Sequence, residues 1–73
     1  MGEYGKFFKD GSWADLIYAA ENDIYHLDYL DDKGRDFLHD LGFDDQIALH
    51  KSNGEIVKMK VIGLGPQWQA IAL

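Results

Sequence analysis

The chain has 73 residues, a net charge of −6 and no cysteine, which leaves room for one domain around one small core and excludes disulfides, thiolate metal sites and a cysteine nucleophile. An apolar fraction of 47% with ten aromatic residues argues for a folded globule rather than disorder. No apolar run reaches 18 residues and no basic segment with an apolar h-region opens the chain, so a membrane span and a secretory leader are not expected. Absence of cysteine fits a reducing, cytoplasmic setting. The opening Met-Gly lacks the Ser or Thr that myristoylation wants, Lys6 standing in its place.

Tyr4, Phe7 and Phe8 lie among three glycines in residues 1–11, which reads as a short edge strand or ordered arm ending in a turn at Lys9-Asp10-Gly11. Ser12 with Asp15 has the form of a capping box. It opens a pattern of Trp13, Leu16, Ile17, Ala20, Ile24 and Leu27 on one helical face, so a helix is predicted from about Trp13 toward Leu30, with a break near Asn22-Asp23. Tyr18, Tyr25 and Tyr29 fall on the opposite face. They form either a second packed face or an exposed contact stripe.

Asp31 or Asp32 is placed to cap a second helix that buries Phe37, Leu38 and Leu41, wets Asp32, Asp36, His39 and Asp40, and ends at Gly42. Gly34 in its first turn weakens it by about 1 kcal/mol relative to Ala. After Asp45 the period shortens to two. Ile47 and Leu49, the turn residues Ser52-Asn53-Gly54, then Val57, Met59 and Val61 predict a hairpin. Gly63, Gly65 and Pro66 mark a further turn before a strand over Gln67 to Leu73. The expected fold is therefore a single α+β domain over residues 1–73, with two or three N-terminal helices (the acidic part, about 12–42) on a three-stranded antiparallel β-meander (about 46–73).

Charge is concentrated in the middle. Asp28, Asp32, Asp36, Asp40 and Asp44 recur every fourth residue, with Asp31 and Asp45 beside them. On a continuous helix each like-charged pair four apart costs roughly 0.2 to 0.5 kcal/mol, a cost that suggests a selected use. From Asp10 to Asp45 eleven acids face two bases, Lys33 and Arg35, whereas from Lys51 onward three lysines face one glutamate. Such a surface repels nucleic acid and membranes and attracts a partner with a basic groove. If helical, seven acids in 18 residues give a charge every 4 Å or so, against about 3.4 Å per phosphate along one DNA strand.

Chemistry is weakly represented. His39 beside Asp36 and Asp40 is not a metal motif, since neither H-E-x-x-H nor a calcium loop is present. Gly63-Leu64-Gly65-Pro66 lacks the Lys-Ser/Thr of a phosphate-binding loop, and Ser12 and Ser52 sit at a cap and a turn. A non-enzymatic protein without cofactor, metal or catalytic residues is expected.

The aspartate series from Asp28 to Asp44 with Tyr25 and Tyr29, covering the middle third of the chain, resembles in character the small acidic phage-encoded anti-CRISPR and anti-restriction proteins, several of which imitate DNA. That resemblance implies an inhibitor acting in the bacterial cytoplasm. It would block the nucleic-acid-binding surface of a CRISPR surveillance complex, type I for instance, or of a restriction complex. Its partner-binding residues would be Asp28, Asp31, Asp32, Asp36, Asp40, Asp44, Asp45, Tyr25 and Tyr29. The tail with Lys51, Lys58 and Lys60 departs from a uniformly negative mimic. An antitoxin or immunity-type protein that neutralises a basic enzyme is the alternative, and a structural adaptor domain a further one.

Overall fold

Alternation with period two governs most of the chain, and its consequence is a closed sheet. The computed structural model describes residues 2–73, so Met1 of the Met-Gly start lies outside the described residues. Six strands, β1 (Glu3–Lys9), β2 (Ser12–Glu21), β3 (Ile24–Tyr29), β4 (Gln46–His50), β5 (Ile56–Gly63) and β6 (Trp68–Ala72), surround one core, and one helix, α1 (Asp32–His39), joins β3 to β4. The strands close into a barrel in the order β1-β2-β3-β6-β5-β4, every neighbouring pair antiparallel. Strand β1 closes it, pairing with β2 from Glu3↔Tyr18 to Lys9↔Ser12 and with β4 through Lys6↔His50, Phe7↔Leu49 and Phe8↔Ala48.

This overturns the expected helices over 12–30. Residues 12–29 form a β-hairpin instead, in register from Leu16↔Tyr29 to Glu21↔Ile24. Ala14, Leu16 and Tyr18 on β2 and Tyr25 and Leu27 on β3 point into the core. The helical pattern arose because Trp13 and Ile17 supply apolar residues on the outer face as well, so both periods fit the same letters. The turns decide it. Asp10 (φ 49°) and Gly11 (φ 83°) both take positive φ, as a two-residue type I′ connection requires, and Asn22 (φ 59°) takes it in the next hairpin. A break at Asn22-Asp23 expected within a helix is thus a strand reversal.

From Gln46 onward the three strands stand where alternation places them, β4 pairing with β5 from Gln46↔Lys60 to His50↔Ile56 and β5 with β6 from Met59↔Ala72 to Gly63↔Gln69. They are half of the barrel rather than a meander covered by helices. A register shift between Val61 and Gly63 bends β5.

The core gathers Phe7, Leu16, Tyr18, Leu27, Leu49, Met59, Val61 and Trp68 from all six strands, with Phe37, Leu38 and Leu41 added by α1 and the residues following it. The helix packs on β2 and β3, with Gly34 against Asp15, Leu16 and Tyr29. A Cβ there would lie 3.1 Å from Leu16 Cδ2 and 3.2 Å from the Asp15 carbonyl oxygen. The helix-weakening glycine is therefore a contact residue, and a Cβ at that position would press on Leu16, Tyr29 and the Asp15 carbonyl by a few tenths of an ångström. Full burial of Leu38 alone contributes roughly 2 kcal/mol, which anchors a helix of only eight residues. No helix among the described residues is long and apolar enough to cross a membrane.

Candidate partner-binding surface

Helix α1 begins where the sequence places it. Asp31, extended at φ −151°, is the N-cap, its Oδ1 accepting a hydrogen bond from the Gly34 N–H at 2.8 Å. Asp32 follows in the first turn, where the helix dipole favours a negative charge. Phe37 and Leu38 turn inward, leaving Asp32, Arg35, Asp36 and His39 outside. Arg35 sits between two of the acids, its Nη1 3.5 Å from Asp32 Oδ1 and its Nε 3.7 Å from Asp36 Oδ1. The two aspartate side chains keep 90% and 78% of their exposure, so these are solvated pairs worth at most about 1 kcal/mol each.

The four-residue aspartate series does not run along one helix. Asp28 lies on β3, Asp32 and Asp36 on α1, Asp40 at its C-cap, and Asp44 in the following loop at φ 69°. Eight residues span about 12 Å, too short for a phosphate-like row, so the acids form a broken band that runs from the end of β3 over α1 into the loop after it. Within it Asp28, Asp31, Asp32, Asp36, Asp40 and Asp44 are exposed and Asp45 is half-buried.

Asp45 belongs to the architecture. Its Oδ2 accepts the Gly42 N–H at 2.7 Å and lies 2.9 Å from Lys9 Nζ, while Asp44 N–H donates to the Val61 carbonyl and Val61 N–H to the Asp45 carbonyl, each at 2.9 Å. The Gly42 hydrogen bond, followed by the one from Lys9, lowers the Asp45 carboxyl below its ordinary value. The same bond, from the other side, raises Lys9. Lys9 Nζ also donates to the Asp40 carbonyl at 3.4 Å, so one ammonium ties β1 to the end of α1.

The two tyrosines part company. Tyr25 is buried at 8% exposure, its ring 5.8 Å from that of Tyr18, and offers no surface to a partner. Tyr29, where β3 leaves the sheet, keeps 42% and meets Trp68 edge-on at 6.3 Å.

Two concavities flank this band, and sequence reasoning named few of their residues. One, of about 590 Å³, lies between the β1–β2 turn and α1, lined by Lys9, Trp13, Lys33, Asp36 and Asp40 among others. Lys33 Nζ stands 3.3 Å and Lys6 Nζ 4.0 Å from the Trp13 ring centroid, so an indole expected in a helical core is a half-exposed platform for two cations. Reading Asp10-Gly11 as a hairpin turn would have placed Trp13 beside Phe8 and outward. The other, of about 480 Å³, is lined by Tyr29, His39, Trp68 and Pro66. Among the described residues no three His, Asp or Glu side chains come together as a metal-holding group. Compared with protein-family models, with curated proteins and with solved structures, the chain matches none of them.

Proposed function

We propose that this protein is a non-enzymatic binding protein of the bacterial cytoplasm that sets the α1 side of its barrel against a basic, nucleic-acid-binding surface of a partner and so keeps nucleic acid off it. One observation carries the reading. Six of the seven acids between Asp28 and Asp45 are exposed along the end of β3, α1 and the loop after it, and the bases in that stretch, Lys33 and Arg35, are held over Trp13 and between Asp32 and Asp36. Long-range attraction toward positive potential follows from such a surface, together with repulsion of phosphate backbones. The division of the acids among β3, α1 and a loop supports occupation of a basic site more than imitation of a DNA strand. A CRISPR surveillance or restriction complex, the partner class implied by the resemblance, has the required basic site.

The test is competition. A candidate complex loaded with labelled duplex DNA should release it as the protein is added. The Asp32→Asn, Asp36→Asn, Asp40→Asn triple variant should fold normally yet associate more slowly, with a flatter salt dependence, because exposed charges act mainly on the on-rate. A triple variant that binds as fast and as tightly as wild type, or bound protein that leaves DNA in place, overturns the proposal.

A further inference from the structure

The cavity of about 480 Å³ behind Tyr29 combines features that the acidic band alone does not supply. Its wall is aromatic: Tyr29 and His39 both stand edge-on to Trp68, with ring centroids at 6.3 Å and 5.3 Å and interplanar angles of 72° and 64°. Leu64 and Pro66 form an apolar side. The backbone of Gly65 lies directly on the indole, since a Cβ there would come within 2.5 Å of the Trp68 ring. Trp68 itself is only 6% exposed, covered by the Gly65 backbone, Tyr29 and His39, so the rings that face the opening are those of Tyr29 and His39, with the indole behind them.

Asp28 also lines this cavity, and it lines the adjoining one of about 320 Å³ as well. Its Oδ1 accepts the Tyr29 N–H at 2.8 Å, and among the described residues it is in no ion pair. Asp32, Asp36, Asp44 and Asp45 each have a Lys or Arg within ion-pair distance, Asp31 caps α1, and Asp40, whose carboxylate is also in no ion pair among the described residues, lines the other cavity together with Lys9 and Lys33. Asp28 is therefore a carboxylate without an internal cation, set at an aromatic hollow.

Aromatic rings and a free carboxylate around an apolar hollow suit a cation on an apolar stem. We propose that the cavity receives an arginine side chain presented by the partner protein, its methylenes along Leu64 and Pro66 and its guanidinium against the exposed rings of Tyr29 and His39, which Trp68 backs, and paired with Asp28. Arginine fits better than lysine because its planar fork both stacks on rings and meets a carboxylate with two donors. This rests on the basic-partner reading above and deepens it, by turning a diffuse electrostatic attraction into one keyed contact.

The probe is a capped Gly-Arg-Gly peptide, titrated into isotopically labelled protein and followed by NMR, with its lysine and citrulline counterparts as controls. Saturable shifts centred on the Trp68 indole, Tyr29 and His39 are expected, with a dissociation constant of about 1 mM, and citrulline should bind about tenfold more weakly because it keeps the shape and loses the charge. Asp28→Asn should weaken the arginine peptide comparably while preserving the acceptor for the Tyr29 N–H. Tyr29→Leu should do so without emptying the apolar lining. Equal binding of arginine and citrulline, shifts confined to the Asp32 and Asp36 face, or no shift at about 10 mM peptide each overturns the proposal. The Asp32, Asp36, Asp40 triple variant separates the two readings. It should bind the peptide as wild type does even though it displaces DNA poorly, so an empty cavity with intact displacement removes only the arginine contact. A filled cavity without displacement by wild type removes the blocking function.

Discussion

The seam at Lys9 and Asp45 and the outer face of α1 carry the same residue types and use them in opposite ways. At the seam a carboxylate accepts a backbone N–H and an ammonium at once, and strands β4 and β5 continue past it through the Asp44 and Asp45 backbone. On α1, ion pairs of 3.5 and 3.7 Å leave the aspartates almost wholly in water. An acidic stretch is therefore two populations, one that holds the loop to the barrel and one that is available to a partner, and only the neighbours of each residue tell them apart. The two tyrosines four residues apart divide in the same way.

The largest expected effect lies with that pair. Tyr25→Ala should destabilise by about 3 kcal/mol or more, as truncation of a buried aromatic does, whereas Tyr29→Ala should change stability by less than about 1 kcal/mol. Thermal melts of the two variants decide it, and similar melting temperatures would erase the distinction.

A smaller effect separates neighbouring acids on the helix. Asp31→Ala removes the cap on Gly34 N and should cost about 1 kcal/mol, while Asp36→Ala should stay within about 0.5 kcal/mol of wild type in urea unfolding. Equal losses would mean that the cap does not carry α1.

The subtlest test is the dependence on pH. Because its folded-state value is depressed, Asp45 contributes stability that is present above the ordinary carboxylate range and is lost as pH falls through the folded value. Lys9, raised in the fold, contributes stability that is complete below the ordinary lysine value and disappears as pH climbs through the folded one. Asp45→Asn should accordingly flatten the stability profile below about pH 4, and Lys9→Met the profile above about pH 10, leaving the neutral region of each curve parallel to wild type. An unchanged acid limb in Asp45→Asn would show that the seam pair is only another solvated contact.

The helix after Asp31 and the strands after Gln46 were legible because each has one consistent period and its own punctuation: an aspartate cap before Phe37 and Leu38 for the first, which stops at His39 with Asp40 as its C-cap rather than at Gly42, and Asn53-Gly54 with Val57, Met59 and Val61 for the second. Residues 12–29 were not, because a small barrel places apolar side chains such as Trp13 and Ile17 outside as well as inside, which blurs alternation into something a helical wheel accepts. Closure of β1 on β4 pairs residues forty or more positions apart, beyond the reach of any local pattern. Of the candidate site, the exposure of Asp32, Asp36 and Asp40 followed from the helix. The burial of Tyr25, the wiring of Asp45 and the hollow beside Asp28 depended on tertiary neighbours.

Closure by β1 also limits how much strand edge this protein offers to a second chain. A ladder that returns on itself leaves only short stretches without a strand partner, such as residues 3–5 on the β4 side and 12–15 on the β3 side, for a second chain to extend. Because β1 supplies both pairings, with β2 on one side and β4 on the other, its release would bare two edges in a single step and open Phe7's place against Leu49. The strand that completes the barrel is thus the one whose detachment would turn a self-contained domain into a template for strand exchange between copies.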